Sequence, residues 1–164
     1  MTKLARLTAL AFATLLATAA QAQAVRSEKN ISLDLANQIA AATVASCQAA
    51  GYAVTATVVD RSGGVRSVQR ADNAGPHTLA ASLQKAYTSA SARNNTLAMM
   101  EGAQKNPAAA NLTDIPGFLL LGGGVPVRVG NDVIGAVGVG GAPGGHLDEQ
   151  CAVAGIDKVK DLLK

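Results

Sequence analysis

Between residues 118 and 141 the chain reads as three short apolar runs separated by glycine turns, and this stretch restricts the fold more than any other. Residues 118–121, 125–129 and 133–139 have strand length, while Gly122-Gly123-Gly124 and Gly130-Asn131-Asp132 carry turn chemistry. Gly135, Gly138 and Gly140 interrupt or follow the last run, at positions where a backbone or a ligand can approach closely.

The rest of the chain supplies the partners of these strands. Ser32 caps an expected helix that runs to Ala50, with Leu35, Ile39 and Ala42 on one face and Gly51 as its left-handed stop. Residues 52–59 and 65–70 are extended, and Asp60-Arg61-Ser62-Gly63-Gly64 turns the chain between them into a hairpin. Residues 71–76 form a loop. Thr78 is the expected N-cap of a helix over 79–93, and the Asn94-Asn95-Thr96 group starts a shorter helix ending near Gln104. Residues 105–117, with Asn106-Pro107 and Ile115-Pro116, read as irregular, 141–147 as a Gly/Pro loop, and 148–163 as a final helix. The order α-ββ-αα-βββ-α lacks alternating βα units. It predicts an α+β domain on an antiparallel sheet rather than a dinucleotide-binding α/β fold.

The N-terminus departs from this scheme. Lys3 and Arg6 precede an uncharged apolar stretch, residues 7–18, and then Ala19, Ala20, Ala22 and Ala24. That is the layout of a secretory signal, and its apolar run is shorter than the ~20 residues that span a bilayer. Cleavage after Ala22 or Ala24 satisfies the small-residue rule. The second leaves a single domain, residues 25–164, in a periplasmic or secreted protein. Loss of Lys3 and Arg6 lowers the formal charge from +3 to +1, which removes the footprint of a nucleic-acid partner. Aromatic residues are 2% of the chain and Trp is absent, so base stacking is poorly served as well. After export, Cys47 and Cys151 read most simply as one disulfide closing a long loop. The alternative is a thiol nucleophile or a metal pair, although neither cysteine lies in a Cys-x-x-Cys or beside a histidine.

Six blocks in order carry a family likeness: Val58-Val59-Asp60 with Gly63-Gly64; Arg70-x-Asp72; Lys85-Ala86-x-Thr88; Gly123-Gly124-Val125-Pro126-Val127; 134–141; and Asp148-Glu149-x-x-Ala152-x-Ala154-Gly155. They resemble the GlcG/HbpS family of haem-binding proteins over essentially all of residues 32–164. The family's usual serine is replaced here by Gly140. The resemblance implies a profilin-like domain with a five-stranded antiparallel sheet in the order 2-1-5-4-3. It implies first and last helices on one face, which brings Cys47 and Cys151 within reach of each other. It also implies haem as ligand and a homo-oligomer.

On such a sheet residues 70–78, 122–124 and 140–148 share one rim, and that rim carries both histidines, His77 and His146. Convergent loops with few polar groups are the default ligand pocket. Haem iron takes an imidazole, thiolate, thioether or phenolate, and its propionates take cations. His77 is the first candidate for the iron and His146 the second. Arg70 and Lys85 are candidates for the propionates, with Thr78 anchoring the loop and Gly123, Gly124 and Gly141 allowing close approach. Tyr52, Tyr87, Met99 and Met100 are further ligands or packing, and His146-x-Asp148-Glu149 offers donors to a divalent ion. Phosphate-loop, dinucleotide and nucleophile-elbow patterns are absent from the sequence. A second functional class is an enzyme or accessory protein for a small hydroxy acid such as glycolate, held by Arg70 and Lys85, or for tetrapyrrole degradation.

Overall fold

The computed structural model describes residues 24–164, so the expected signal segment lies outside the described residues except for Ala24. Helix α1 spans Leu33–Ala49 and begins as expected, with the Ser32 hydroxyl accepting from the Leu35 N–H at 3.2 Å. Strands β1 (Thr55–Asp60) and β2 (Val65–Arg70) form the hairpin. Asp60 organises its turn by accepting from the N–H groups of Ser62 and Gly64 at 2.9 and 3.0 Å. Helix α2 (His77–Ala92) and helix α3 (Thr96–Lys105) follow, then strands β3 (Gly124–Val129) and β4 (Asp132–Gly140), and helix α4 (Gly145–Asp157).

Several boundaries differ from expectation. Helix α2 starts at His77 with Pro76 in the cap position, so Thr78 lies inside the helix and makes no N-cap. Its hydroxyl instead donates to the Gly75 carbonyl. Residues 107–114 form a 3-10 helix capped by Asn106, whose side chain accepts from the Ala108 N–H. The last helix starts at Gly145, earlier than Asp148, and ends at Asp157 before a short 3-10 turn, Lys160–Leu162.

The sheet is antiparallel with four strands in the order β2-β1-β4-β3, not five. Residues 118–121 do not join it, because their backbone is engaged by helix side chains. The Leu119 N–H donates to Thr88 Oγ1, and the Leu121 carbonyl accepts from Thr96 Oγ1. The remaining strands keep the expected neighbours.

Alternation along the strands sends two kinds of side chain to the two faces. Ala56, Val58, Val127, Val137 and Val139 pack with Ile39, Ala40 and Val44 of α1 and Ala152 of α4 in the main core. Cys47 and Cys151 join these helices as a disulfide across 104 residues, with Cα atoms 5.3 Å apart. Such a closure is worth roughly 4–5 kcal/mol in the chain-entropy model. On the opposite face Val59 and Ala136 meet Ala86 and Ala90 of α2. Gly138 and Gly124 let this helix descend to backbone contact: a Cβ at Gly138 would overlap the Ser82 carbonyl, and one at Gly124 the Lys85 carbonyl.

Gly138→Ala therefore has to push α2 off the sheet, and we expect a loss of about 3 kcal/mol in urea unfolding. Gly102, on the exposed side of α3, would place an added methyl group in open space, with nothing within 4 Å. Gly102→Ala is expected to gain up to ~1 kcal/mol in the same assay, through lower unfolded-state entropy.

Candidate functional site

The strand register brings the expected rim together. Arg70 and Gly140 both pair with Thr55, while Gly124 pairs with Gly138. His77 and His146 sit in the first turns of α2 and α4, both exposed. Each imidazole lies over the glycine two residues before it, Gly75 and Gly144.

Five of the expected site residues are taken up by contacts within the protein. Lys85 is 1% exposed; its ammonium donates to Asp148 Oδ2 at 2.7 Å and to the Val139 carbonyl at 2.8 Å. It is therefore not a free cation for a propionate or a small acid. Thr78 is fully buried and shares a 2.7 Å hydrogen bond with Thr55 Oγ1, so its hydroxyl serves the helix-to-sheet contact. Space at Gly123, Gly124 and Gly141 is taken by the protein itself: Asp148 Cβ, the Lys85 carbonyl and the Ala53 carbonyl. The divalent-ion reading of His146-x-Asp148-Glu149 also dissolves. Asp148 faces Lys85 and accepts from the Ala142 N–H at 3.0 Å, whereas Glu149 accepts from Asn95 at 2.9 Å. Among the described residues no group of three His, Cys, Asp or Glu side chains is placed to hold a metal ion.

Arg70 remains available. It makes no ion pair with Asp72; its guanidinium donates through Nε and Nη2 to the Ala74 carbonyl, which leaves other N–H donors of the fork free.

Helix α2 has its polarity reversed. The face against the sheet carries Thr78, Ser82, Lys85 and Ser89 among alanines, all buried. Thr57 and Ser82 share a 2.8 Å hydrogen bond there. Outward, Leu79 and Leu83 stay 43% and 37% exposed, although a surface helix ordinarily turns such residues to the core. Edge strand β2 continues the apolar surface. Val68 pairs with Thr57 and Val65 with Val59, which places both on the α2 side of the sheet, 45% and 52% exposed. Together Val65, Leu83, Gln84, Tyr87, Pro116 and Gly117 line a groove of about 430 Å³. His77 lies seven residues before Gln84 on the same helical row, and Arg70 lies at the rim end of β2. Neither lines the groove, whose polar members are Gln84 and the Tyr87 phenol; an exposed apolar groove of this kind is a candidate ligand site.

A second cleft, of about 360 Å³, is lined by Leu97, His146, Glu149, Val153 and Asp157 among others. Its polar groups are two carboxylates, Glu149 and Asp157, with the His146 imidazole and the Gln150 amide. Sequence reasoning missed Leu79, Leu83, Val65 and Val68. The signal was present: leucines at 79 and 83 fall opposite the small residues of the same helix.

Comparison with known proteins adds a family context. A family model described as "Haem degrading protein HbpS-like" matches residues 31–157. The crystal structure of a double mutant of HbpS from Streptomyces reticuli superimposes with a TM-score of 0.79 at 35% identity, covering 86% of this chain and 94% of that one. Protein GlcG of Escherichia coli K12 is 34% identical over 109 residues, which is 66% of this chain and 80% of GlcG. A crystal structure described as a PduOC:heme complex shares the fold, with a TM-score of 0.70 at 20% identity over 78% of this chain and 94% of that one.

The buried pair makes two expectations. Lys85→Met leaves the Asp148 carboxylate enclosed without its cation, and urea unfolding should show a loss of about 3–5 kcal/mol. Burial raises the Asp148 carboxyl above its ordinary value, against the opposing pull of Lys85 and the Ala142 N–H. The native state then holds this proton more tightly than the unfolded chain. Its contribution to stability is present below the ordinary carboxylate range and is lost as pH rises through the raised value. The stability of the wild type minus that of Asp148→Asn should therefore fall with rising pH. A difference that grows with pH would show that Lys85 outweighs burial.

Proposed function

The chain belongs to the HbpS-like family, and on that premise we propose that it is an exported protein that binds haem in the groove between α2 and β2. The observation that carries this reading is the reversed polarity of α2, which turns Leu79, Leu83 and Tyr87 outward beside Val65 and Val68. A porphyrin needs apolar walls along its plane and cations at its carboxylate edge. Val65, Leu83, Tyr87 and Pro116 provide walls and Gln84 a polar group, while Arg70 and His77 lie outside this lining, at the rim ends of β2 and α2. Bound haem would supply an iron centre that the side chains present do not. The residues that line the groove would bury its faces and exclude water from one side.

Export accords with the pattern of residues 1–24 and with the Cys47–Cys151 bridge, which persists in an oxidising compartment. Among the described residues no helix is long and apolar enough to cross a membrane. The reading as a binder of small hydroxy acids loses its main support, because Lys85 is committed to Asp148 and leaves Arg70 alone. Self-association, expected from the family, belongs to the same proposal and is measured by light scattering on the same samples.

Hemin titrated into the mature chain is expected to give a saturable Soret change. Leu83→Glu places a charge in the groove and should weaken binding about tenfold or more, while Val153→Glu, in the second cleft, should leave it unchanged. Loss of binding in Val153→Glu with retention in Leu83→Glu would move the site to the cleft of His146. Absence of saturation in the wild type would remove the haem reading. Material recovered from the periplasm should begin at Val25 and gain the mass of two hydrogens on reduction.

A further inference from the structure

From Leu97 to Leu121 the chain contains no buried residue, although Leu97, Met100, Leu112, Ile115, Phe118 and Leu120 lie in it. None of these side chains belongs to or packs against the main core, and none belongs to the smaller cluster under α2. Thr96, immediately before, is fully buried, and its hydroxyl closes the base of the segment. It donates to the Leu121 carbonyl at 2.7 Å and accepts from the Gly124 N–H at 2.8 Å. Above this base the segment reaches α2 through the Leu119 N–H, which donates to Thr88 Oγ1 at 2.8 Å. Gly117 and Phe118 lie against the Tyr87 ring, the second edge-on with centroids 6.2 Å apart. Further along, its bonds are internal: the N–H groups of Asn106, Ile115 and Phe118 donate to the carbonyls of Gly102, Leu112 and Ile115. Helix α3, with 10 residues, is shorter than the ~12–15 at which an isolated helix holds in water, so it persists while the segment is seated. The same segment walls both clefts: Pro116 and Gly117 line the groove beside Tyr87, and Leu97 lines the cleft of His146.

We propose that residues 97–121 form a strap that opens as one unit from its base at Thr96, and that this opening widens the groove beside Tyr87 to admit its occupant. The sheet with α1, α2 and α4 carries the buried core and stays closed meanwhile. Opening of a segment costs little where it buries little apolar surface. With the strap lifted, Pro116 and Gly117 leave the wall, and the Tyr87 ring is uncovered where Gly117 and Phe118 had met it. An occupant in contact with Pro116 favours the closed strap and holds it shut. The strap serves whichever occupant the groove takes; only its response to hemin rests on the haem reading above.

Hydrogen exchange of the mature chain, followed amide by amide below the urea transition, is the test. The Asn106 and Phe118 amides should be protected about a hundredfold less than those of Val58 in β1 and Val137 in β4. Thr88→Val removes the acceptor for the Leu119 N–H and should speed both strap amides by one common factor, about threefold to tenfold, with β1 and β4 unchanged. Asn106 makes no bond to Thr88, so a merely local loss would not move it. Phe118→Ala, which removes the edge contact with Tyr87 instead, should also speed exchange at Asn106. An Asn106 amide unmoved by both substitutions, or strap amides as protected as those of β4, would overturn the strap as a unit. Saturating hemin should slow the Asn106 and Phe118 amides several-fold, and a saturated complex with unchanged strap rates would overturn its part as a wall of the groove. A chain that does not saturate removes the haem reading alone, and the exchange rates of the free chain still decide the strap.

Discussion

The structure depends on the seating of one helix against one strand at backbone distance. Helix α2 lies on β4 where Gly138 and Gly140 have no side chain to hold it away, and on the start of β3 at Gly124. Contact this close leaves room only for small side chains between helix and sheet. The interface is therefore built from Ala86, Ala90 and the hydroxyl pairs Thr55–Thr78 and Thr57–Ser82, not from interlocking leucines. Hydroxyls in such a layer cost little because each has a partner, and they fix the rotation of the helix more sharply than alkyl packing does.

That rotation decides where the charges and the apolar groups of α2 go. Lys85 points inward and must find a counter-charge, and Asp148 supplies it from the first turn of α4. The pair joins α2, the end of β4, the loop at Ala142 and α4 at one buried point. A long cation placed there adds connectivity between elements rather than reactivity toward ligands. With the inner face occupied by small and polar residues, the leucines of α2 are left outside. The groove is thus a consequence of the close seat: the same geometry that excludes large residues from the interface displays them to solvent beside β2.

Much of this is legible in the chain. Ser32, Asp60 and the Gly130-Asn131 turn act through local hydrogen bonds and backbone preference, so their roles can be read residue by residue. The pairing of Cys47 with Cys151 follows once both helices share a face. The expected fifth strand is absent because strand propensity at 118–121 competes with side-chain partners on distant helices: Thr88 and Thr96 capture that backbone, and no local pattern announces them. Lys85 escapes a local reading for a similar reason. A lysine on an alanine-rich helix looks like a surface cation until the close approach at Gly124 and Gly138 is known, and that approach is a tertiary fact.

An apolar groove flanked by an edge strand should invite another strand to pair with it, yet the edge carries its own safeguards. Strand β2 places Arg66 next to Val65 and ends in Arg70, charges that resist extension of the sheet by a like chain. Its register against β1 shifts between Val58 and Val59, and an irregularity of this kind bends the edge away from flat pairing. Neither safeguard obstructs the side facing α2, where Val65 and Val68 remain open. The chain therefore guards its backbone edge against strand addition while leaving the apolar side chains of β2 accessible on the side facing α2.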